Sequence, residues 1–297
     1  MSTLFHTNPS KINSITPDDN EYTQIIVHIA KCPKRLWYIG TLPTQRKVSL
    51  AIVGTRGPTT YGQEMAYKLS YDLARQGVII ISGLALGIDC IAHQAALDAG
   101  GITIAVLPTS LDNIHPRTNQ KLAEDIISKG GALITEYPSG SKIYKGNFLE
   151  RNRIVSGLSD GLLIIEASSR SGTLATTNFA LDQGKSVMAV PGNANSLTSV
   201  GCNNLLKFGA TVVTEVSDVL QELGLQESTV AEQPIIPLIQ ASSAEQQSIL
   251  QLILDGVHDG EDLQIQSQLE PSLFNQTLTM LEIENKIHPR GANQWSL

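Results

Sequence analysis

The sequence predicts a doubly wound, mainly parallel α/β sheet with helices on both faces, followed by a small helical domain at the C-terminal end. From residue 48 onward, short apolar runs alternate with helical patterns. The runs are β-branched and apolar on both faces, which is typical of strands that helices bury on each side. Glycines at positions 77, 100, 130 and 184 end four of the helical patterns, as left-handed C-terminal caps would. Repeated alternation of this kind indicates an open parallel sheet.

Seven apolar runs are the predicted strands. They cover residues 48–53, 78–82, 102–107, 132–135, 161–166, 186–190 and 211–213. Met65, Leu69 and Leu73 stand at four-residue spacing and predict one of the intervening helices. The other helices are predicted over residues 88–99, 119–129 and 173–183.

The two ends of the chain differ from this central domain, which we assign to residues 36–223. Residues 1–35 are polar and mixed and are predicted to form a loosely ordered arm. Residues 224–243 contain prolines and no clean period, and are predicted to be a linker. Residues 244–297 contain three helical patterns and a terminal turn with flanking short strands, which is the outline of a winged helix.

Composition excludes several classes of protein. Of the 297 residues, 41% are hydrophobic and 16% are charged, which is enough for a core and too little charge for a disordered chain. No apolar run reaches the roughly 18 residues of a membrane helix, and the start lacks the pattern of a secretory signal. We therefore expect a soluble, cytoplasmic protein without a membrane partner. Cys32, Cys90 and Cys202 lie far apart and are expected to be reduced.

The net charge of −7 is concentrated near the C-terminus. Residues 240–297 hold eight acidic and two basic side chains, so they account for −6 of the total. Neutralisation of phosphates by Lys and Arg supplies most non-specific affinity for nucleic acid. We therefore expect the C-terminal domain to repel phosphate and to serve protein contact or autoinhibition rather than nucleic-acid binding.

Three turns of small residues follow predicted strands, at residues 54–56, 83–89 and 167–173. Ligands of doubly wound sheets bind beyond the carboxyl ends of the strands, and a helix N-terminus offers free N–H groups to phosphate. None of the turns fits the dinucleotide fingerprint or the P-loop. Tight strand–helix packing would explain one such turn, but three at one sheet edge favour a phosphate site.

The densest basic stretch is residues 142–153, with four basic groups and one acidic group. Tyr144 and Phe148 stand among these cations. Cations bind a phosphate backbone, and an aromatic ring stacks on a base. The alternative is a solvated loop and helix with ordinary surface arginines.

Constellations typical of enzymes are scarce. There is no G-x-S-x-G elbow. Asp89 and His93 share a helix face, but a pair without a third ligand is a weak metal or acid–base signal, so we expect Asp89 to brace its turn and His93 to pack. Glu166 ends a buried strand and is expected to bind an arginine or backbone N–H groups, with a direct ligand role as the alternative.

Several motifs occur together in one order. They are IVGTRGPTTYG, SGLALGIDCIAHQAAL, ITIAVLPTSLDNIHP, ITEYPSG, FLERNRIVSGLSDGLLIIEASSRSGTL and VMAVPGN followed by VGCNNLLKFGA. With them the chain resembles the DNA-processing protein A family (DprA, also called Smf) over about residues 36–215. The resemblance implies an extended Rossmann-like domain, and the C-terminal segment is similar to the winged helix that many members carry.

The resemblance also implies a function. It implies a homodimeric, non-enzymatic recombination mediator that binds incoming single-stranded DNA in natural transformation and loads RecA onto it, without cofactor or metal. The DNA-binding residues implied by motif are Arg56, Gly83, Lys145, Phe148, Arg151, Asn152, Arg153, Ser171, Gly172 and Thr173. Arg56 and Lys145 would bind phosphate, and Phe148 would stack on a base. Arg151, Asn152 and Arg153 would hold the DNA backbone or brace the pocket, and Gly83 with residues 171–173 would offer backbone N–H groups. The implied dimer interface contains Leu205, Leu206 and Val212.

Two alternatives stay open at this point. One is a phosphoribohydrolase-like enzyme, because Ser171-Gly172-Thr173 copies part of the glycine-rich turn of those enzymes. However, Ala175, Thr176 and Thr177 follow, and none of them is a carboxylate that could act as a base. The other alternative is a nucleotide-sensing module that does not bind DNA.

Overall fold

The computed structural model of the chain describes residues 12–169, 171–225, 243–254, 257–284, 286–291 and 293–296. The chain divides into two compact units, Met1–Ser228 and Thr229–Leu297. Most of the predicted linker lies outside the described residues. Within the described parts of the chain, no helix is both long enough and apolar enough to cross a membrane.

The described residues of the first unit form one sheet of nine strands. These are β1 (Asn13–Ile15), β2 (Leu36–Gly40), β3 (Ser49–Val53), β4 (Ile79–Ser82), β5 (Thr103–Val106), β6 (Ala132–Thr135), β7 (Gly161–Ile164), β8 (Ser186–Ala189) and β9 (Thr211–Val212). Their order across the sheet is β1-β2-β6-β5-β4-β3-β7-β8-β9. The strands from β3 to β9 pair in parallel, whereas β1 with β2 and β2 with β6 are antiparallel. The predicted mainly parallel, Rossmann-like sheet is confirmed.

In the part of the first unit that the structure describes, eight α-helices connect and cover these strands. They are α1 (Thr60–Arg75), α2 (Ile88–Asp98), α3 (Gln120–Ser128), α4 (Lys145–Glu150), α5 (Asn152–Leu158), α6 (Thr173–Asp182), α7 (Val200–Lys207) and α8 (Val216–Glu222). The glycines after α1, α2, α3 and α6 have φ angles of +81°, +70°, +88° and +66°. They are the left-handed caps that the sequence predicts.

Both faces of the sheet are buried. In β3, Ala51 and Val53 belong to one apolar cluster, and the alternating Leu50 and Ile52 belong to another. Because side chains alternate along a strand, a run that is apolar at every position needs helices on each face. This explains why the central strands lack an alternating polar pattern.

The direction of winding reverses between β3 and β7. From β3 the chain adds β4, β5 and β6 on one side, and it then returns to place β7, β8 and β9 on the other side. The loops after β3 and β7 therefore diverge to opposite faces of the sheet. A crevice opens at such a switch point, beyond the carboxyl ends of the strands.

The N-terminal segment corrects the sequence prediction. Strand β1 pairs with β2, and 3₁₀ helices occupy Pro17–Asp19 and Gln24–His28. Tyr22 and Ile26 are fully buried, and the Tyr22 hydroxyl lies 3.0 Å from the Ser49 hydroxyl. The prediction of a loosely ordered arm is wrong for residues 12–35, because short 3₁₀ turns bury side chains without a helical or strand period. Residues 1–11 lie outside the described part.

The second unit contains α9 (Ala244–Leu254), α10 (Gly260–Ser267), α11 (Pro271–Ile283) and an antiparallel pair, β10 (His288–Gly291) with β11 (Gln294–Ser296). Its core contains Ile249, Ile253, Leu263, Phe274 and Leu281. Leu273, in the first turn of α11, is 39% exposed although it is apolar. Phe274 is buried in its place because it lies a full turn before Leu278 and two turns before Leu281.

Candidate nucleic-acid interface

A groove of about 360 Å³ lies at the carboxyl ends of β3 and β7, and we call it the switch-point groove. The turn after β3, the loop before α6 and the junction of α4 with α5 form its walls. Its lining residues are Val53, Gly54, Thr55, Arg56, Ala85, Asp89, Phe148, Leu149, Arg151, Asn152, Ser171, Gly172, Thr173 and Thr176. Seven of the ten predicted DNA-binding residues therefore border one groove.

Arg56 is the exposed cation of the groove. It follows β3 by three residues, and no described acidic side chain forms an ion pair with it. The turn at Gly87 packs closely beneath it, since a Cβ on Gly87 would lie 2.4 Å from the Thr55 carbonyl oxygen. Gly87 also has a φ of +80°, so this approach requires glycine. The guanidinium of Arg56 is thus presented to solvent on a closely packed turn.

Phe148 supplies an aromatic ring to the same groove. Its ring meets His115 edge-on, with centroids 5.6 Å apart and planes at 84°. Edge-to-face contact of this kind is a favoured aromatic geometry, so the orientation of the ring is held. Lys145, three residues earlier on α4, is exposed and lies outside the groove lining. The i,i+3 spacing nevertheless puts Lys145 and Phe148 on one side of α4.

Arg151 is buried beneath the groove. It donates to the carbonyl oxygens of Gly83, at 2.6 Å, and of Val106, and its Nε donates to Asn152 Oδ1 at 3.0 Å. Burial lowers the pKa of Arg151 to about 10, and the neighbouring Asp89 opposes that shift. Arg151 therefore ties the α4–α5 junction to the carboxyl ends of β4 and β5.

Gly83 does not offer its N–H group to a ligand, which corrects the sequence prediction. The N–H donates to Asp89 Oδ2 at 3.1 Å. A Cβ at this position would lie 2.4 Å from Arg151 Nη2, so glycine is needed for close packing. Burial raises the pKa of Asp89, and Arg151 and the N–H groups of Ala85 and Gly83 counteract the rise. Asp89 braces its turn as expected.

Arg153 is a brace, which is one of its two predicted roles, but it braces α5 rather than the groove. Its Nη atoms bind the Glu136 carboxylate at 2.6 and 2.7 Å, and its Nε donates to the Lys31 carbonyl at 3.0 Å. It is absent from the lining of the switch-point groove. Arg153 therefore fastens α5 to the N-terminal segment, and its charge is already paired.

The loop before α6 offers fewer N–H groups than predicted. The Ser171 N–H donates to the Ser168 carbonyl, and the Thr173 N–H donates to Ser171 Oγ, both at 3.1 Å. The Thr173 hydroxyl donates to the Gly54 carbonyl at 3.2 Å. Of the three predicted donors at residues 171–173, only the Gly172 N–H has no acceptor among the described residues. The loop is thus held to β3 and leaves one donor at the groove.

The first unit of the chain matches a known protein family over nearly its whole length. The family model for DNA recombination-mediator protein A matches residues 13–224. The chain belongs to this family. It is 42% identical over 210 residues to protein Smf from Escherichia coli, covering 70% of the chain and 56% of that relative. It is 38% identical over 212 residues to DNA processing protein DprA from Streptococcus pneumoniae, covering 71% and 74%.

Two solved structures of family members have the same fold. DprA from Streptococcus pneumoniae gives a TM-score of 0.66 at 37% identity, covering 71% of this chain and 74% of that one. DNA processing protein A from Helicobacter pylori, whose structure concerns its binding mode for single-stranded DNA, gives 0.62 at 32% identity and coverages of 72% and 95%. The chain spans about half the length of Smf from Escherichia coli (56%) and from Synechocystis (54%).

Glu166 binds hydroxyls and a backbone N–H rather than an arginine of the described part. It accepts from the Thr59 N–H at 2.9 Å, the Thr59 hydroxyl at 2.6 Å and the Thr198 hydroxyl at 3.1 Å. Thr59 is the N-cap of α1. Glu166 thus joins the carboxyl end of β7 to the start of α1.

His93 is a packing residue in the interior of this family member. The Thr103 hydroxyl donates to the Ile80 carbonyl and so accepts the N–H at His93 Nδ1, 2.6 Å away. His93 Nε2 is buried without a partner, and burial lowers the pKa of His93 to about 3. No group of three potential metal ligands occurs among the described residues, and the three cysteines are free.

The residues assigned to self-association lie on α7 and the edge strand β9. Leu205 and Leu206 are half-buried against the core, whereas Val212 is 49% exposed. Phe208 lies in the same segment, residues 203–212, which the family resemblance assigns to self-association, but it is not among the residues implied as apolar anchors, and it is 89% exposed. Phe208 lies between α7 and β9 and belongs to no periodic apolar pattern. Its exposure therefore became evident only from the fold.

The sequence analysis also missed His115 as the support of Phe148. It lies in the motif ending NIHP, which contributes to the family resemblance. Nothing in its spacing indicates a contact with a helix more than thirty residues later. Such a contact depends on the loop after β5 reaching α4.

Proposed function

We propose that this protein is a single-stranded DNA-binding recombination mediator and that the switch-point groove holds the strand. The observation that carries the proposal is that Arg56 and Phe148 line one groove, which provides an exposed cation and an oriented ring. Family membership and the single-stranded DNA binding of the Helicobacter pylori relative support it.

The groove suits a single strand better than a duplex. A cation neutralises a backbone phosphate, and a ring stacks on whichever base is present, so binding tolerates any sequence. The Gly172 N–H supplies one neutral donor, and Lys145 supplies a second cation close to Phe148. The overall charge of −7 does not oppose this role, because a cationic groove acts over a Debye length of about 8 Å.

The groove supports binding without catalysis. Asp89 is the carboxylate of its lining, and it is bound by the N–H groups of Gly83 and Ala85 beside Arg151. A general base needs a free lone pair within reach of the reacting proton. We propose that the protein is not an enzyme and needs no cofactor.

We further propose that the protein loads RecA onto incoming single strands during natural transformation in the cytoplasm. It would act as a homodimer joined through α7 and β9, with Leu205, Leu206 and Val212 in the interface. Family membership supports these assignments. The exposed apolar side chains at Phe208 and Val212 support self-association, since exposed apolar patches mark interaction sites.

The second unit is proposed to be a winged helix that contacts protein. Its element order, three helices and then an antiparallel strand pair, supports the winged-helix assignment. The helix α11 would be its recognition helix, but its exposed side chains include Leu273, Met280, Glu282 and Ile283 and no cation. A helix without Lys or Arg gains little from a phosphate backbone.

Binding to a labelled oligonucleotide, followed by fluorescence anisotropy over a series of salt concentrations, tests the groove. Arg56→Ala should weaken binding to all sequences and reduce the salt slope by about 1. Lys68→Ala removes an exposed cation of α1 that lines no groove, and it should bind like the wild type. Wild-type binding by an Arg56/Lys145/Phe148 triple alanine variant would refute the groove.

The ring is tested separately. Phe148→Ala should lose roughly 1–3 kcal/mol of binding free energy with little change in salt slope, because stacking releases no counterions. Phe148→Tyr keeps the ring and is the matched control. If Phe148→Ala and wild type bound the oligonucleotide with equal affinity, Phe148 would not be part of the DNA site.

The RecA role needs its own assay. Growth of RecA filaments on strands covered by single-strand-binding protein should start sooner when the wild type is present. A double variant with Arg56→Ala and Phe148→Ala should lack this effect because it no longer binds the single strand. If the wild type did not shorten the delay before RecA filaments grow, the proposal of RecA loading would be wrong, although the protein could still bind single-stranded DNA.

A further inference from the structure

A second groove lies at the same edge of the sheet and has no part in the function proposed above. It encloses about 440 Å³ and is lined by residues that include Thr59, Tyr61, Glu166, Pro191, Asn193 and Ser199. Glu166 follows β7, Pro191 follows β8, and Tyr61 lies in the first turn of α1. We call this space the Tyr61 groove. It is on the β8 side of β7, whereas the switch-point groove borders the α4–α5 junction.

The Tyr61 ring forms one wall and is fixed at both ends. Its hydroxyl donates to the Pro191 carbonyl at 2.8 Å, so the ring bridges α1 and the loop after β8. The residue is 43% exposed. A ring that is already oriented loses little conformational freedom when a flat ligand stacks on it.

The loop after β8, which lines the groove with Pro191, Gly192 and Asn193, is also held in place by hydrogen bonds. The Asn203 side chain accepts from the Gly192 N–H at 3.2 Å and donates to the Gly192 carbonyl at 3.0 Å. Asn193 Oδ1 accepts from the Asn195 N–H at 2.9 Å. These bonds hold the loop after β8 open as one side of the groove.

The charges of the lining exclude a phosphate and favour a neutral ligand. Glu166 is the charged residue of the lining, and none of the residues described there is a cation. A carboxylate repels phosphate but can accept an N–H group. Glu166 already accepts three hydrogen bonds of the roughly four that a carboxylate can take. The Ser199 hydroxyl is bonded to no described residue.

An oriented ring, a wall of neutral polar groups and a single carboxylate suit one class of ligand, a flat heterocycle with N–H donors. We propose that the Tyr61 groove binds a nucleobase of the same DNA strand whose phosphate is held by Arg56. Arg56 and Thr59 are three residues apart, so their Cα atoms lie within about 11 Å of each other. One strand can therefore span both grooves. This inference rests on the proposed function.

The length of the oligonucleotide separates the two grooves. We would measure affinity for oligothymidylates from about 4 to 16 nucleotides, the usual range of single-strand sites. Tyr61→Leu should bind the longest strands roughly 5- to 150-fold more weakly, and the shortest strands as the wild type does. Tyr61→Phe keeps the ring, loses the hydroxyl, and should stay close to wild type. Equal thermal melting of the variants would show that each is folded.

Photocrosslinking locates the base directly. Strands that carry one 5-iodouracil at successive positions should crosslink to Tyr61 at one position and to Phe148 at another, as mapped by mass spectrometry. Crosslinks to Phe148 without any to Tyr61 would overturn the second subsite while leaving the switch-point groove intact. So would Tyr61→Leu affinities equal to wild type at every length, or weakened equally at every length. If wild type binds no single strand at all, the proposed function fails, and this inference fails with it.

Discussion

Arg151 and Arg153 are two positions apart in the sequence, yet their guanidinium groups bind different partners in the fold. Arg151 supports the floor of the switch-point groove, and Arg153 pairs with Glu136. Both are about 6% exposed, whereas Arg56 is exposed and unpaired among the described side chains. Removing one partner of a buried ion pair costs about 3–5 kcal/mol, so a variant at Arg153 should lower the stability of the fold. A variant at Arg151 should do so as well, because it leaves the buried carbonyls of Gly83 and Val106 without their donor.

At the scale of single residues, His93 makes stability depend on pH. Its pKa is lowered to about 3 from 6.5, so the folded state stays neutral while the unfolded state takes up a proton below pH 6.5. Stability is therefore fully present above pH 6.5. Between pH 6.5 and 3 it should fall by about 1.4 kcal/mol for each pH unit.

Urea unfolding at several pH values measures this effect. Other groups titrate in the same range, so the informative quantity is the difference between the wild type and His93→Gln. Gln keeps a donor for Thr103 and does not titrate. Parallel stability–pH curves for the two proteins would contradict the assignment to His93.

At the scale of elements, the start of α1 depends on β7. The Thr59 hydroxyl accepts from the Gly62 N–H at 3.2 Å and donates to Glu166 Oε1 at 2.6 Å. Gly62 leaves room for the carboxylate, since a Cβ there would lie 2.2 Å from Glu166 Oε2. The Glu166 side chain, which follows β7, thus orients the Thr59 hydroxyl that caps α1.

Thr59→Ala should lower the free energy of unfolding by about 0.5–2 kcal/mol, because it removes the cap and leaves Glu166 with fewer donors. Thr59→Ser retains the hydroxyl and is the matched control. The measurement is urea unfolding at neutral pH. A Thr59→Ala midpoint equal to that of wild type would show that Glu166 holds α1 without the cap.

At the scale of the whole molecule, negative charge and the candidate DNA groove belong to different units. Residues 240–297 carry −6 of the net −7, and the switch-point groove is formed entirely by the first unit. That unit has its own apolar core. The distribution allows one unit to attract phosphate although the protein as a whole is acidic.

A chain ending at residue 225 should therefore keep its affinity for single strands, or bind more tightly at low salt, because removal of the acidic unit weakens long-range repulsion. Anisotropy titrations of the full chain and the shortened chain compare the two. A shortened chain that stays folded and dimeric yet loses most of its affinity would assign DNA contact to the second unit.

The proposed homodimer is also tested on the whole molecule. If α7 and β9 form its interface, Phe208→Glu, which places a charge at a side chain that is 89% exposed, should convert the proposed dimer to a monomer without unfolding it. Lys68→Glu introduces the same charge on α1 and should remain dimeric. Sedimentation velocity distinguishes the two outcomes. A dimeric Phe208→Glu protein would place the interface elsewhere.

The central sheet was predictable because its signals are local. Each strand from β3 to β9 is an apolar run, and four of the helices end at glycines with positive φ, so short windows of sequence contain the information. The segment around Tyr22 and Ile26 was not predictable, because its side chains are buried by 3₁₀ turns that have no long period. Arg56 and Phe148 could be selected from turn and aromatic chemistry, whereas the support of Phe148 by His115 could not.

The sequence by itself determined the order of strands β3 to β9 and of helices α1, α2, α3 and α6, the turns at the strand ends and the family. Only the tertiary structure decided which cations stay free. Arg151 meets Gly83 and Val106, which are 68 and 45 residues away in the chain, and Arg153 meets Glu136 across 17 residues. Periodicity reports the environment within a few turns of chain, but burial and pairing depend on which distant segments the sheet brings together. For that reason Arg151 and Arg153, which belong to the most basic stretch of the sequence, are structural braces. The exposed cation of the groove is Arg56, in the turn after β3.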